Sequence, residues 1–193
     1  NFANSSGVYY SYSSAMIIFG GQNNTLLDNT FYGRHYGLYI TNFANNTFGK
    51  NLSITGDVDS GILLHWGYNN TLTDFSVISR GNYGISLAIS ANNTFKDCTI
   101  TNTGWYDVNV GWDPGCINNT LVNCSYSTER VPTSDGELIR KWYYQAYVNH
   151  TNGNPLSSVN ISAYNTTGQL QFTTLTNSSG WIPRQEVIEY INL

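Results

Sequence analysis

The chain has 193 residues, only 10% of them charged, with a net charge of −4 and no run of Lys or Arg, so it offers no surface for tracking phosphates and excludes nucleic acid as a partner. Apolar residues make up 40% and aromatics 15%, enough for a packed core and too many for a disordered tail. No apolar stretch is long enough for a membrane-spanning helix, which excludes membrane insertion of that kind.

The first residues, Asn1-Phe2-Ala3-Asn4, have neither the basic nor the apolar region of a signal peptide. Either an export signal has been removed or the sequence is a piece of a longer chain. Val8-Tyr9-Tyr10-Ser11-Tyr12 reads as a strand with no polar cap before it.

A repeat then begins. The tetrads Asn23-Asn24-Thr25-Leu26, Asn45-Asn46-Thr47-Phe48, Asn69-Asn70-Thr71-Leu72, Asn92-Asn93-Thr94-Phe95 and Asn118-Asn119-Thr120-Leu121 recur at spacings of 22, 24, 23 and 26. Eight residues before the first four stand Ala15, Gly37, Gly61 and Gly84, each followed by an apolar residue: Met16, Leu38, Ile62 and Ile85. The last repeat keeps that apolar step at Val108 and carries an insertion, Gly111-Trp112-Asp113-Pro114-Gly115-Cys116. Between the markers run short period-two alternations such as Ile85-Ser86-Leu87-Ala88-Ile89, the pattern of strands. One repeat is too small to bury its apolar face, but repeats stacked about 4.8 Å apart bury it continuously. That arrangement predicts two inward ladders: Leu26, Phe48, Leu72, Phe95 and Leu121 at one corner, and Leu38, Ile62, Ile85 and Val108 at another. Asn suits the corners because its amide bonds to turn backbone and it tolerates the left-handed conformation.

On these residues, the Asn-Asn-Thr-apolar turn paired with Tyr83-Gly84-Ile85 and Tyr36-Gly37-Leu38, residues 1–128 resemble right-handed parallel β-helix proteins of the pectate-lyase architecture. They are most similar to repeat proteins of archaeal and bacterial surfaces and periplasm, including copper-site maturation proteins. The resemblance implies the fold and leaves function open, since such proteins include lyases, hydrolases, adhesins and spacers.

Residues 129–138 read as a linker. Strand-like runs follow at Trp142 to Val148, Val159 to Tyr164, Leu170 to Leu175 and Glu186 to Tyr190, separated by Asn152-Gly153-Asn154-Pro155, Thr167-Gly168 and Ser179-Gly180. Residues 139–193 therefore predict a small antiparallel β-sandwich. The order Gly153-Asn154-Pro155-Leu156, Val159-Asn160-Ile161 and Thr176-Asn177-Ser178-Ser179-Gly180 resembles the carboxypeptidase-regulatory or transthyretin-like fold, which implies a noncatalytic spacer. Four or five strands fall short of the about seven of a complete sandwich of this kind. The fold class is thus all-β, a right-handed parallel β-helix of about five rungs followed by a small sandwich.

Asn-X-Ser/Thr occurs at Asn4, Asn23, Asn45, Asn51, Asn69, Asn92, Asn118, Asn123, Asn149, Asn160, Asn165 and Asn177. With 26 Asn in the chain, chance gives about five such triplets, and each is a glycan acceptor in a secreted protein. The excess predicts a secreted or cell-surface glycoprotein, although the five triplets inside the tetrads also have a backbone role.

Aligning the turns places Asp28, Lys50, Asp74, Asp97 and Asn123 in one surface column. Asp74 and Asp97 on neighbouring rungs would lie near the roughly 5 Å carboxylate separation of a retaining glycosidase. Stacked carboxylates also suit Ca²⁺. The column nevertheless reads as a solvated ladder with no third acid, Arg or His to complete a site, so no catalytic residue is assigned and the chain is expected not to be an enzyme. His35, His65 and His150 fall in unrelated positions without metal-ligand spacing, so no metal is expected. Trp105 and Trp112, beside the carboxylate of Asp113, could stack on a sugar ring, or fold back over apolar surface. Cys98 and Cys124 lie four residues after their repeat Thr and should stack on adjacent rungs, as a disulfide or as two small buried hydrophobes. Cys116 is the odd thiol. N-linked glycans are the one attached group expected. The sequence reads best as a structural surface or filament subunit assembling head to tail, with residues 1–12 as a candidate strand donor to the next subunit. The alternatives are a carbohydrate-binding module or adhesin and, behind it, a polysaccharide lyase or hydrolase.

Overall fold

A computed structural model describes residues 2–5, 13–111, 114–132 and 136–193. Among them the secondary structure is strand only: β1 (Phe2–Ser5), β2 (Ser14–Phe19), β3 (Thr25–Leu27), β4 (Thr30–Gly33), β5 (Tyr36–Thr41), β6 (Phe48–Gly56), β7 (Ser60–His65), β8 (Thr71–Ser79), β9 (Tyr83–Ala88), β10 (Thr94–Asn102), β11 (Tyr106–Val110), β12 (Cys116–Val122), β13 (Glu129–Arg130), β14 (Gly136–Tyr144), β15 (Asn160–Tyr164), β16 (Leu170–Leu175) and β17 (Gln185–Asn192). The chain divides into two compact units, Asn1–Arg140 with Tyr190–Leu193, and Lys141–Glu189.

The first unit is a parallel β-helix of about five turns. One sheet runs β1-β4-β6-β8-β10-β12-β14-β17, with β3 also on β6, and the other runs β13-β11-β9-β7-β5-β2. Consecutive rungs pair in parallel, as β6 with β8 and β8 with β10, because no rung closes a core alone. In the second sheet the expected ladder holds: Met16 stacks on Leu38, then Ile62, Ile85 and Val108. From Leu38 to Val108 its members are wholly buried. Burying one such side chain contributes about 1.5–3 kcal/mol. A Cβ at Gly61 would lie 2.2 Å from Val77 Cγ1, and Gly37 and Gly84 admit Ile54 and Ile100 of the facing sheet in the same way.

At the tetrad corner the expected ladder is corrected at one rung. Thr25 pairs with Phe48, and Phe48 with Thr71, so Gly49 rather than Phe48 lies between Leu26 and Leu72. Phe48 is 40% exposed. The cause is upstream: the turn from Thr41 to Asn45 is one residue longer than those from Phe19 to Gln22 and from His65 to Tyr68, and both Asn42 and Phe43 adopt positive φ there. Downstream, Leu52 and Ile54 must face the core beside Phe75 and Val77. Those two large side chains fix the register, and the tetrad slides by one residue to suit them.

Each long strand bends at one left-handed residue, Asn51 in β6, Asp74 in β8 and Asp97 in β10, around which the pairing skips. Inside the tetrad corner a polar ladder runs along the axis. Asn70 Nδ2 donates to Asn93 Oδ1 at 3.0 Å, and Asn93 Nδ2 to Asn119 Oδ1 at 3.0 Å. All three are buried, and they satisfy turn carbonyls as well, Asn93 that of Gly67 and Asn119 that of Ser90. The slip puts Thr47 at this position in the second rung, where its backbone N donates to Asn70 Oδ1. Cys98 and Cys124, on adjacent rungs, are joined by a disulfide with Cα atoms 4.5 Å apart, and Cys116 is a buried thiol 3.6 Å from Leu87 O.

Within residues 129–138, Glu129–Arg130 pairs with Val108 and Asn109 as a further rung, and Gly136 begins β14. Glu129 accepts from Tyr126 (2.6 Å), Tyr190 (2.8 Å) and Asn192 (2.8 Å), which ties the last residues to the β-helix unit. Burial and the Glu129 hydrogen bond raise the Tyr126 hydroxyl above its ordinary pKa. At the other end, Phe2–Ser5, four of the twelve residues expected as a strand donor, pair in parallel with Thr30–Gly33.

The second unit contains the antiparallel pair β15–β16 and an antiparallel bridge between Tyr147 and Trp181. Its turns are built by Asn side chains: Asn165 Oδ1 accepts from Thr167 N and Gln169 N, and Asn177 Oδ1 from Ser179 N and Trp181 N. Ile182 is its one wholly buried apolar side chain among the described residues, while Tyr164, Leu170 and Leu175 are exposed.

Candidate functional site

Strand alternation sends Ile18, Ile40 and Leu64 inward and Ile17, Phe19, Tyr39 and His65 outward. Three successive rungs thereby build an open groove of about 480 Å³, lined by Ile17, Phe19, Tyr39 and His65 and closed at its corner by Asn42 and Trp66. Trp66 sits at positive φ, as Phe43 does one rung before. His65 stacks on Trp66 with ring centroids 4.1 Å apart, and Phe43 stacks on the same indole at 6.1 Å. Phe19 is 72% exposed and Phe43 62%. The surface thus joins ring faces to hydrogen-bonding groups, the Tyr39 hydroxyl, the Asn42 amide and the His65 imidazole, with no Asp, Glu, Lys or Arg among the lining residues. None of these residues was singled out as a site from sequence, although an aromatic stands just before each of the first three tetrads, at Phe19, Phe43 and Trp66. The fourth repeat has Ala88-Ile89 there, and the groove ends.

Trp105 is 64% exposed and meets Tyr83 edge-on. It flanks a second pocket of about 230 Å³ with Asn102, Asp107 and Thr128. The buried Asp107 carboxylate accepts three backbone N–H groups, from Asn102 (2.8 Å), Ser127 (2.7 Å) and Thr128 (3.0 Å), which engages it in the turn. Trp112 and Asp113 lie outside the described residues.

The acidic column is corrected by the same slip. Its members are Asp28, Asn51, Asp74, Asp97 and Asn123, all at φ between 51° and 54°, with Asn51 in the place expected for Lys50. Asn51 Nδ2 donates to Asp28 at 2.8 Å, Asn123 Nδ2 to Asp97 at 2.7 Å, and Lys50 Nζ lies 3.7 Å from Asp74. A second axial set joins Tyr32, Asp57 and Arg80, with Arg80 Nη1 2.6 Å from Asp57. The Tyr32 hydrogen bond, followed by Arg80, holds the Asp57 carboxyl below its ordinary pKa.

Of the acceptor triplets, Asn23, Asn51, Asn69, Asn92, Asn118, Asn149, Asn160, Asn165 and Asn177 are exposed, whereas Asn45 and Asn123 are half-buried; the side chain of Asn4 is outside the description. His35 lies 3.3 Å from Ser13 Oγ, His65 is in the groove, and His150 belongs to the other unit.

Residues 1–155 match the family described as periplasmic copper-binding protein (NosD). The chain belongs to that family. No curated protein and no solved structure matches it. The copper named for the family meets a poor donor set here. The whole chain has one Met, three His and three Cys, and two of the Cys are joined to each other. No three His, Cys, Asp or Glu converge among the described residues, so these side chains do not fit a copper centre.

Proposed function

We propose that this member of the NosD family is a noncatalytic extracytoplasmic structural glycoprotein, a surface or filament subunit that assembles head to tail. One observation carries it: surface acids and amides are engaged along the axis, one rung to the next, instead of converging. Asp28 with Asn51, Asp74 with Lys50, Asp97 with Asn123, and Asp57 with Tyr32 and Arg80 form ladders whose partners hold the rod together. The family's periplasmic description agrees with a location outside the cytoplasm. The second unit is read as a carboxypeptidase-regulatory-like sandwich serving as a spacer, and the handedness of the β-helix as right-handed, the hand of nearly all parallel crossovers.

Assembly is read from the sheet edges. Among the described residues β1 and β2 are the terminal strands of their sheets, and terminal strands recruit others through backbone groups. Donation of residues 1–12 to a neighbour would first break the pairing of Phe2–Ser5 with β4, so end-to-end stacking on that edge is favoured. Electron micrographs of native material test the reading. Filaments with a rung-spaced axial repeat are expected, whereas isolated particles at high concentration would overturn it. Cleavage of a polysaccharide by the wild type, lost in Asp74→Asn or Asp97→Asn, would overturn the noncatalytic half.

A carbohydrate-binding role is the second reading, favoured by the aromatic groove around Trp66 and by exposed Trp105. A glycan array checks it: binding lost in Trp66→Ala or Trp105→Ala supports an adhesin, and an empty array removes it.

A further inference from the structure

The tetrad corner presents a column of left-handed, exposed asparagines, Asn23, Asn46, Asn69, Asn92 and Asn118, with φ between 53° and 59°. Four of the five begin an Asn-X-Thr triplet. Asn46 does not, because it is followed by Thr47 and Phe48. The one-residue slip has moved the second rung's triplet onto Asn45, which is bridged on either side by Gln22 and Tyr68. Asn45 is half-buried, and its Oδ1 is enclosed without a hydrogen-bond partner. A sugar on its Nδ2 would leave from a carboxamide wedged between two rungs.

Resting on the glycoprotein reading above, we propose that N-glycans are carried by the column at Asn23, Asn69, Asn92 and Asn118, and that Asn45 is left bare. The reaction is transfer from a phosphate-activated, lipid-linked glycan. The bond from Nδ2 to the sugar's C1 forms as the bond from C1 to the phosphate oxygen breaks, and one Nδ2 proton leaves to solvent. Rung spacing adds a rule of occupancy. Asn69, Asn92 and Asn118 stand on consecutive rungs about 4.8 Å apart, less than the width of a pyranose ring with its hydroxyls. Asn118 Nδ2 already donates to Asn92 Oδ1 at 3.2 Å. A glycan on Asn92 therefore excludes glycans on Asn69 and Asn118 in the same molecule. Asn23 is two rungs from Asn69 and fills independently.

Site-resolved mass spectrometry of protein isolated from its native host, with intact mass to count glycans per molecule, tests this. Glycan is expected at Asn23 and at the other column positions, with none at Asn45. The variant Phe48→Thr, a change at an exposed position, completes a triplet at Asn46 and is expected to gain a glycan there in molecules that leave Asn23 and Asn69, one rung away on either side, bare. A glycan on Asn45, molecules filled at Asn69, Asn92 and Asn118 together, or a Phe48→Thr protein bare at Asn46 in molecules that also leave Asn23 and Asn69 bare would overturn the inference with the glycoprotein reading intact. A chain bare at every acceptor would overturn both.

Discussion

Phe48 pairs in register with Thr71, while Gly49 fills the inward place against Leu72. A Cβ added at Gly49 would meet Leu72 Cδ2 at 2.4 Å and Leu52 Cδ1 at 2.9 Å. Gly49→Ala should therefore destabilise by about 1–3 kcal/mol, as overpacking of a close core does. Phe48→Ser, at an exposed site, should stay within about 0.5 kcal/mol of wild type. Denaturant unfolding of the two variants checks this, and the opposite ranking would mean that Phe48 is the core residue.

Asn93 has no exposed surface and holds four hydrogen bonds through its side chain: Nδ2 to Gly67 O and to Asn119 Oδ1, and Oδ1 from Asn70 N and Asn70 Nδ2. Asn93→Ala leaves several buried groups without partners, each costing about 1–3 kcal/mol. A loss of about 3 kcal/mol or more in unfolding free energy is expected. Asn46→Ala, in the exposed column, is the control and should cost far less.

Asp57 carries the resolved acid shift. Its folded pKa is depressed by the Tyr32 hydrogen bond and by Arg80, so it stabilises the fold above its unfolded pKa, about 3.9. That contribution falls away as pH drops through the depressed folded value. Wild type should lose more stability between neutral and strongly acidic pH than Asp57→Asn. Unfolding midpoints measured across that window decide it, and parallel pH curves would count against the pairing.

Reduction of the Cys98–Cys124 disulfide, which closes a loop with a sequence separation of 26, should lower stability by about 2–4 kcal/mol. Thermal melts with and without a strong reductant give the measurement, and Cys98→Ser should reproduce the reduced value.

Copper retention is expected to be far below one ion per chain. Elemental analysis after loading the oxidised protein with Cu²⁺ and dialysing it gives the number. A stoichiometric ion that survives dialysis would show that the one Met, three His and Cys116 form an arrangement not present among the described residues.

The repeat itself was legible in the sequence, since stacking equal units every two dozen residues is what buries their alternating apolar side chains. Leu38, Ile62, Ile85 and Val108 fall in the predicted ladder, and the first three each follow a glycine that the facing sheet packs against. The register of the second tetrad was not legible. Asn45-Asn46-Thr47 matches its neighbours residue for residue and Phe48 keeps their apolar step, yet the extra residue at Asn42–Phe43 can be absorbed before or after it. Only the demand that Leu52 and Ile54 reach the core beside Phe75 and Val77 selects one answer, and that demand is made between rungs. Likewise, no single repeat encodes the aromatic groove. Phe19, Tyr39, His65 and Trp66 lie up to 47 positions apart in the chain, and they meet because parallel pairing sets equivalent positions of successive rungs side by side.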